Sequence, residues 1–177
     1  MRIEAKMIRH WTEAELSAEL KQLTIIADSR EQVNNHLTDF WDKKNIGYFT
    51  RKLDIGDYSA QIGNMTLEKD IVIERKRNLD EICGNLTASR DRFEREFLRA
   101  KASGTKVFLI IENATWTDIE LQNYRSNLSP KSLMASLLSW QIRFNITIIF
   151  CEPKNTPRLI YYLLYYAARE QLLNGTS

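Results

Sequence analysis

The stretch Ile71-Val72-Ile73-Glu74-Arg75-Lys76-Arg77-Asn78-Leu79-Asp80 passes from an apolar β-type run into charge with no turn residue between. A short apolar run rich in β-branched residues reads as a buried strand, and charges appended to it stand at a strand end, on the rim of a sheet. Alternate side chains of a strand share a face, so Glu74 and Lys76 point together while Arg75 points the other way. Upstream, Asp57 lies in the tight segment Leu53-Asp54-Ile55-Gly56-Asp57-Tyr58 and can bring a second carboxylate to the same rim. Two carboxylates beside a lysine suit metal-dependent phosphodiester chemistry, because Mg²⁺ and Mn²⁺ prefer oxygen ligands and keep several waters. Such an ion neutralises phosphate charge, acidifies a water and stabilises a leaving oxygen, and a lysine on the same face adds preorganised positive charge. The Arg75 carbonyl, between the two side chains, is a further ligand candidate. The same residues also admit a plainer reading, with Glu74 and Lys76 as an exposed ion pair and Asp57 as a turn residue hydrogen-bonding locally.

Composition narrows the function classes. The 177 residues are 44% hydrophobic, enough for one folded unit with a core. No apolar stretch approaches the roughly 20 residues that a membrane span needs, and Met1-Arg2-Ile3-Glu4-Ala5-Lys6 lacks a signal-peptide core, so a cytoplasmic protein is expected. Cys83 and Cys151 form no paired-ligand spacing, which argues against a disulfide framework or a zinc ribbon. With His10 and His36 as the only histidines, histidine-based metal sites are poorly supplied. The net charge of +2 hides a concentration of Arg75, Lys76, Arg77, Arg90, Arg92, Arg95, Arg99, Lys101 and Lys106 in the middle of the chain. That is either a solvated, salt-bridged surface or a set of phosphate contacts.

Thr12 and Glu15 have capping-box spacing ahead of Leu16, Leu20 and Leu23, which predicts a short helix. Residues 1–22 read as an accessory segment and 23–177 as the main domain. Leu23–Ala27 is a strand; Val33, Leu37, Phe40 and Trp41 have helical spacing up to Asn45-Ile46-Gly47; a strand covers Tyr48–Lys52. Tyr58–Ile62 and Met65–Leu67 flank a Gly63-Asn64 hairpin turn before the Ile71–Lys76 strand. Leu79, Ile82, Cys83 and Leu86 mark one helix, and Phe93, Phe97 and Leu98 a second from about Ser89 to Ala102, closed by Gly104. Lys106–Ile111 is a strand covered on both faces, and Glu112–Leu128 reads as polar and irregular. Ser129-Pro130 starts a helix through Leu133, Leu137, Trp140 and Phe144; Ile146–Cys151 is the last strand, and Thr156-Pro157 opens the final helix. Strands alternating with helices, with a hairpin among them, predict an α/β architecture with a mixed sheet.

The combination of Ile26-Ala27-Asp28-Ser29-Arg30-Glu31, Gly56-Asp57-Tyr58 and Glu74-Arg75-Lys76-x-x-x-Asp80 closely resembles the nuclease domain of the XPF family of structure-specific endonucleases. The likeness runs from about Leu23 to Glu170 and implies a restriction-endonuclease-like fold, three layers α/β/α around a central mixed sheet. It implies Asp57 and Glu74 as metal ligands, with the Arg75 carbonyl, and Lys76 as the catalytic lysine. Asp28 is implied as an additional acid near the metal or its water, and Asp80 as a further catalytic residue. Arg30, Arg75, Arg77, Arg90 and Arg92 are the implied DNA contacts. Local roles remain open for several of these: Arg30 and Glu31 as a salt-bridged helix start, Asp80 as a first-turn acid, and the arginines as solvent-facing charges. Phe93 and Phe97, one turn apart, read as core. The final helix, with Tyr161, Tyr162, Leu163, Leu164, Tyr165 and Tyr166, is apolar nearly all round, and the resemblance implies a homodimer through it. No helix-hairpin-helix pattern follows, so a stand-alone version of the nuclease is expected, with less grip on duplex DNA. The expected activity is a Mg²⁺- or Mn²⁺-dependent endonuclease on branched or flap DNA in recombination, repair or replication. A sequence-specific or nonspecific nuclease on the same fold, and a catalytically silent DNA- or partner-binding scaffold, remain as alternatives.

Overall fold

A computed structural model describes residues 10–174. The expectations for the start of the chain and for residues 175–177 lie outside the described residues. The elements run α1 (Glu13–Leu20), β1 (Leu23–Ala27), α2 (Asn35–Lys43), β2 (Gly47–Thr50), β3 (Tyr58–Ile62), β4 (Met65–Thr66), β5 (Ile71–Lys76), α3 (Leu79–Ala88) and α4 (Arg90–Ser103). They continue with β6 (Lys106–Glu112), α5 (Trp116–Glu120), α6 (Pro130–Phe144), β7 (Thr147–Cys151) and α7 (Thr156–Asn174). The expected local signals are in place: Thr12 and Glu15 close a capping box, Ser129 caps α6 ahead of Pro130, and Gly104 ends α4 with φ of 77°.

The strands form one mixed sheet in the order β2-β1-β3-β5-β6-β7, with β4 paired to β3. β1, β2, β5, β6 and β7 all point the same way, and β3 runs against both of its main neighbours. Helices cover both faces. On one, Val72, Val107, Leu109 and Ile111 pack against α3, α4, α5 and α6, with Trp140 at 0% exposure. On the other, Ile25, Ala60, Ile71, Ile73 and Ile110 pack against α1, α2 and α7, with Trp41 equally buried. This is the three-layer α/β/α arrangement expected. Leu16 and Leu20 of α1 are buried in the second cluster, so α1 is part of that layer. No helix among the described residues is long and apolar enough to cross a membrane.

Three local expectations are corrected. Val33 is not the first helical residue: α2 starts at Asn35, and Val33 is 57% exposed with its carbonyl turned to Arg75. The Glu112–Leu128 segment is not irregular throughout, because Thr115 caps the short helix α5, which buries Ile119 and sets Trp116 edge-on against Phe150. In α7 the apolar character is not spread evenly inward: Ile160, Leu164 and Ala168 are buried while Tyr162 and Tyr166 face out.

Candidate active site

Strand direction assembles the site. Because β3 is reversed, its first residues lie beside the last residues of β1 and β5, with Tyr58 opposite both Ala27 and Ile73. One step further along each strand, Asp28, Asp57 and Glu74 fall in a row. Alternation puts all three on the α3/α4/α6 face, together with Lys76. The approach of Asp57 depends on Gly56, whose φ is +74° and whose hypothetical Cβ would lie 2.9 Å from Val72 Cβ and 3.1 Å from the Ile73 carbonyl. The Asp57 amide donates to the Ile73 carbonyl at 2.8 Å, and the Asp28 amide donates to the Asp57 carbonyl at 2.7 Å.

The side chains of this row differ sharply in how they are satisfied. Asp57 Oδ2 accepts the Arg75 amide at 2.7 Å, and Glu74 Oε1 lies 2.8 Å from Lys76 Nζ. Lys76 Nζ is also 3.7 Å from Glu81 Oε1 and 5.2 Å from the Phe93 ring centroid. Burial pushes the Asp57 carboxyl well up, and the nearby Glu74 charge pushes it further, against the pull of Lys76. Glu74 is raised too, first by burial, with Lys76 opposing. For Lys76, burial works against the charge, but Glu74 and then Asp57 outweigh it and hold the ammonium protonated. Such a lysine is suited to stabilising charge rather than accepting a proton.

Among the described residues, no group of three or more His, Cys, Asp or Glu side chains is arranged as a metal cage. The donor set nevertheless fits a hard divalent ion. Two buried carboxylates with raised proton affinity, that of Asp57 raised in part by the Glu74 charge, are relieved by a dipositive charge, and Mg²⁺ commonly takes one or two protein carboxylates and fills the rest with water.

The remaining predicted residues are placed differently. Asp28 is buried and lowered below the usual carboxylate range: burial, which raises it, is outweighed by bonds from Arg30 and the Leu53 amide. Its Oδ1 accepts the Arg30 amide at 2.8 Å and Nε at 2.7 Å; its Oδ2 accepts Nη2 at 2.9 Å and the Leu53 amide at 2.6 Å. With both oxygens so engaged, Asp28 fastens the loop that abuts Asp57. Asp80 turns to Arg125, accepting its amide at 2.7 Å and its Nε at 3.2 Å, and so ties α3 to the segment before α6.

Arg75 is a correction. Its side chain is 2% exposed, donating to Glu112 Oε2 at 2.7 Å, to Glu31 Oε1 at 3.1 Å and to the Val33 carbonyl at 2.6 Å. A guanidinium enclosed this way does not reach a DNA groove. Arg90 points to α6, with Nε 2.8 Å from Glu94 Oε1 and Nη1 3.4 Å from Ser136 Oγ. Arg30, Arg77, Arg90 and Arg92 all stay exposed, and Arg30 and Arg77 flank a hollow of about 270 Å³ that Glu31 and Glu81 also line. Sequence reasoning missed Glu81, Glu112 and His36. Only Glu81 carried a usable signal, one helical turn after Arg77, whose amide it accepts at 2.9 Å.

Solved structures with this architecture include XPF from Aeropyrum pernix, with a TM-score of 0.63 and 21% identity over 84% of this chain and 66% of that one. XPF from Aeropyrum pernix in complex with DNA gives a TM-score of 0.62 and 20% identity over 82% and 65%. The chain thus spans slightly less than two thirds of the length of the chains it matches. No curated protein matches the sequence. The fold is that of an XPF-type nuclease domain. The ERCC4 domain matches residues 27–163, and the chain belongs to that family.

Proposed function

We propose that the domain is a Mg²⁺- or Mn²⁺-dependent DNA endonuclease that acts on branched or flap DNA in recombination, repair or replication. One observation carries the reading: two carboxylates, Asp57 and Glu74, share one face of the sheet where the interior strands β3 and β5 meet, with Lys76 Nζ 2.8 Å from Glu74 Oε1. Asp57 and Glu74 would hold the ion, with the Arg75 carbonyl as a further ligand, and the ion would supply charge neutralisation at phosphorus and a more acidic water. Lys76 faces the same space and stabilises the negative charge that builds on phosphate oxygens. Arg30, Arg77, Arg90 and Arg92 are exposed cations available to DNA phosphates, whose contacts fix register without reading sequence. Asp28 and Asp80 act by holding the loops on either side of the site. The DNA complex of XPF from Aeropyrum pernix supports DNA as the substrate class.

Pairing through α7 fits its exposed face. Tyr162 is 49% and Tyr166 59% exposed, beside a groove of about 440 Å³ lined also by Ile71, Phe108, Leu159 and Leu163. A second copy of the chain would cover that apolar surface.

The test is cleavage of flaps, forks, four-way junctions and linear duplex with Mg²⁺, with Mn²⁺ and with EDTA. Metal-dependent cleavage of branched substrates in preference to linear duplex is the expected result. Equal cleavage of all substrates would leave a nonspecific nuclease, and no cleavage with either metal would leave a binding scaffold.

A further inference from the structure

Arg75 acts on both sides of the sheet. Its backbone amide orients the Asp57 carboxylate at 2.7 Å on the site face, while its guanidinium is locked between β6 and the loop after β1 on the other. Strand register fixes the main partner: Arg75 lies opposite Ile110, and Glu112, two residues on, shares its face. Glu112 is 2% exposed and uses both oxygens, Oε2 on Arg75 Nη1 at 2.7 Å and Oε1 on His36 Nε2 at 2.9 Å. His36 comes from the first turn of α2 and remains partly exposed.

A buried ion pair is a poor source of net stability, since well-packed apolar residues of similar volume often do as well. It is an effective way to fix the position of a backbone. We infer that Glu112, braced by His36, is a positioning residue for the Asp57–Glu74 carboxylate pair, acting through Arg75. The inference rests on the metal-dependent reading above. Residues that orient ligands from outside the first coordination sphere act in this manner, and losing one typically costs about 10–100-fold in metal affinity or activity.

The measurement is a calorimetric Mn²⁺ titration of the DNA-free full chain and of its Glu112→Gln and His36→Gln variants. Thermal melting and DNA affinity in EDTA are followed in parallel. Glu112→Gln, which keeps the size of the side chain and removes its charge, is expected to weaken Mn²⁺ binding by roughly 10–100-fold with DNA affinity retained. His36→Gln is expected to shift the affinity the same way by less, and it decides the matter if Glu112→Gln does not fold. Mn²⁺ affinity equal to that of the unaltered protein in the folded variants overturns the inference. If the unaltered protein binds Mn²⁺ yet cleaves no DNA, the nuclease reading falls while the same titrations still judge Glu112. If it binds no Mn²⁺, both fall.

Discussion

β5 carries charge on both of its faces and treats it in opposite ways. Toward α2, Arg75 is matched by Glu31 and Glu112, and Glu112 by His36, so that nearly every donor has a partner. Toward α4, Glu74 and Asp57 repel each other and Lys76 is the main cation against them. The first arrangement is what a chain does with buried charge when it needs a rigid anchor. The second leaves negative charge in excess of positive where the interior strands β3 and β5 meet, which a rigid anchor alone would not require. Buried carboxylates with raised proton affinity, set in a local excess of negative charge, mark the face on which chemistry is expected.

The largest way to break this contrast is on the satisfied side. Arg75→Leu strands Glu112 and Glu31 without their cation, and urea unfolding is expected to show a loss of about 3–5 kcal/mol. On the unsatisfied side, Lys76→Ala is expected to lower single-turnover cleavage of a flap substrate by roughly 10²–10³-fold while DNA binding persists. Near-normal turnover in that variant would refute the role given to the ammonium.

A third, smaller effect is read in the dependence of melting on pH. The folded protein holds the Asp57 proton more tightly than the unfolded chain does. Raising pH from the ordinary aspartate range through the elevated Asp57 range therefore removes stability in metal-free protein. A divalent ion binds the deprotonated form, so the gain in Tm on adding Mg²⁺ should grow with pH over that window. A gain independent of pH would show that the ion is held elsewhere. Asp28, with its affinity lowered, works in the opposite sense, and its contribution is lost as pH falls through its depressed range. The smallest effect is expected for Asp80→Ala. Its partner Arg125 is largely exposed, so the stability cost is under about 1 kcal/mol, and a heavy loss of cleavage would return Asp80 to the chemistry.

Much of the architecture could be read from the chain because its signals are local. The alternation from Ile71 to Lys76 sorted Glu74 and Lys76 from Arg75, and capping residues placed α1 and α6. What stayed hidden depended on distance along the sequence. Arg75 reads as a surface cation because its partners lie 37 and 44 residues away, in segments with nothing to connect them to it. Glu112 closes an apolar strand and looks like the first residue of a loop, and His36 is a lone histidine on a short helix. α5 was missed because its single buried residue, Ile119, leaves almost no periodicity to detect. The tight segment around Gly56 already suggested Asp57 as a second carboxylate beside Glu74, but the reversal of β3 that brings it there is visible only in the sheet order.

That reversal has a practical corollary for anyone wishing to modify the molecule. β3 begins beside the acids and ends at the opposite rim, roughly 13 Å away over the four steps between its five residues at about 3.3 Å each. The bend at Gly63-Asn64 is solvent-facing there, with no atom within 4 Å of where a Gly63 Cβ would sit. A fluorophore or affinity handle grafted into that bend would report on the protein from the end remote from the acids, leaving those unobstructed.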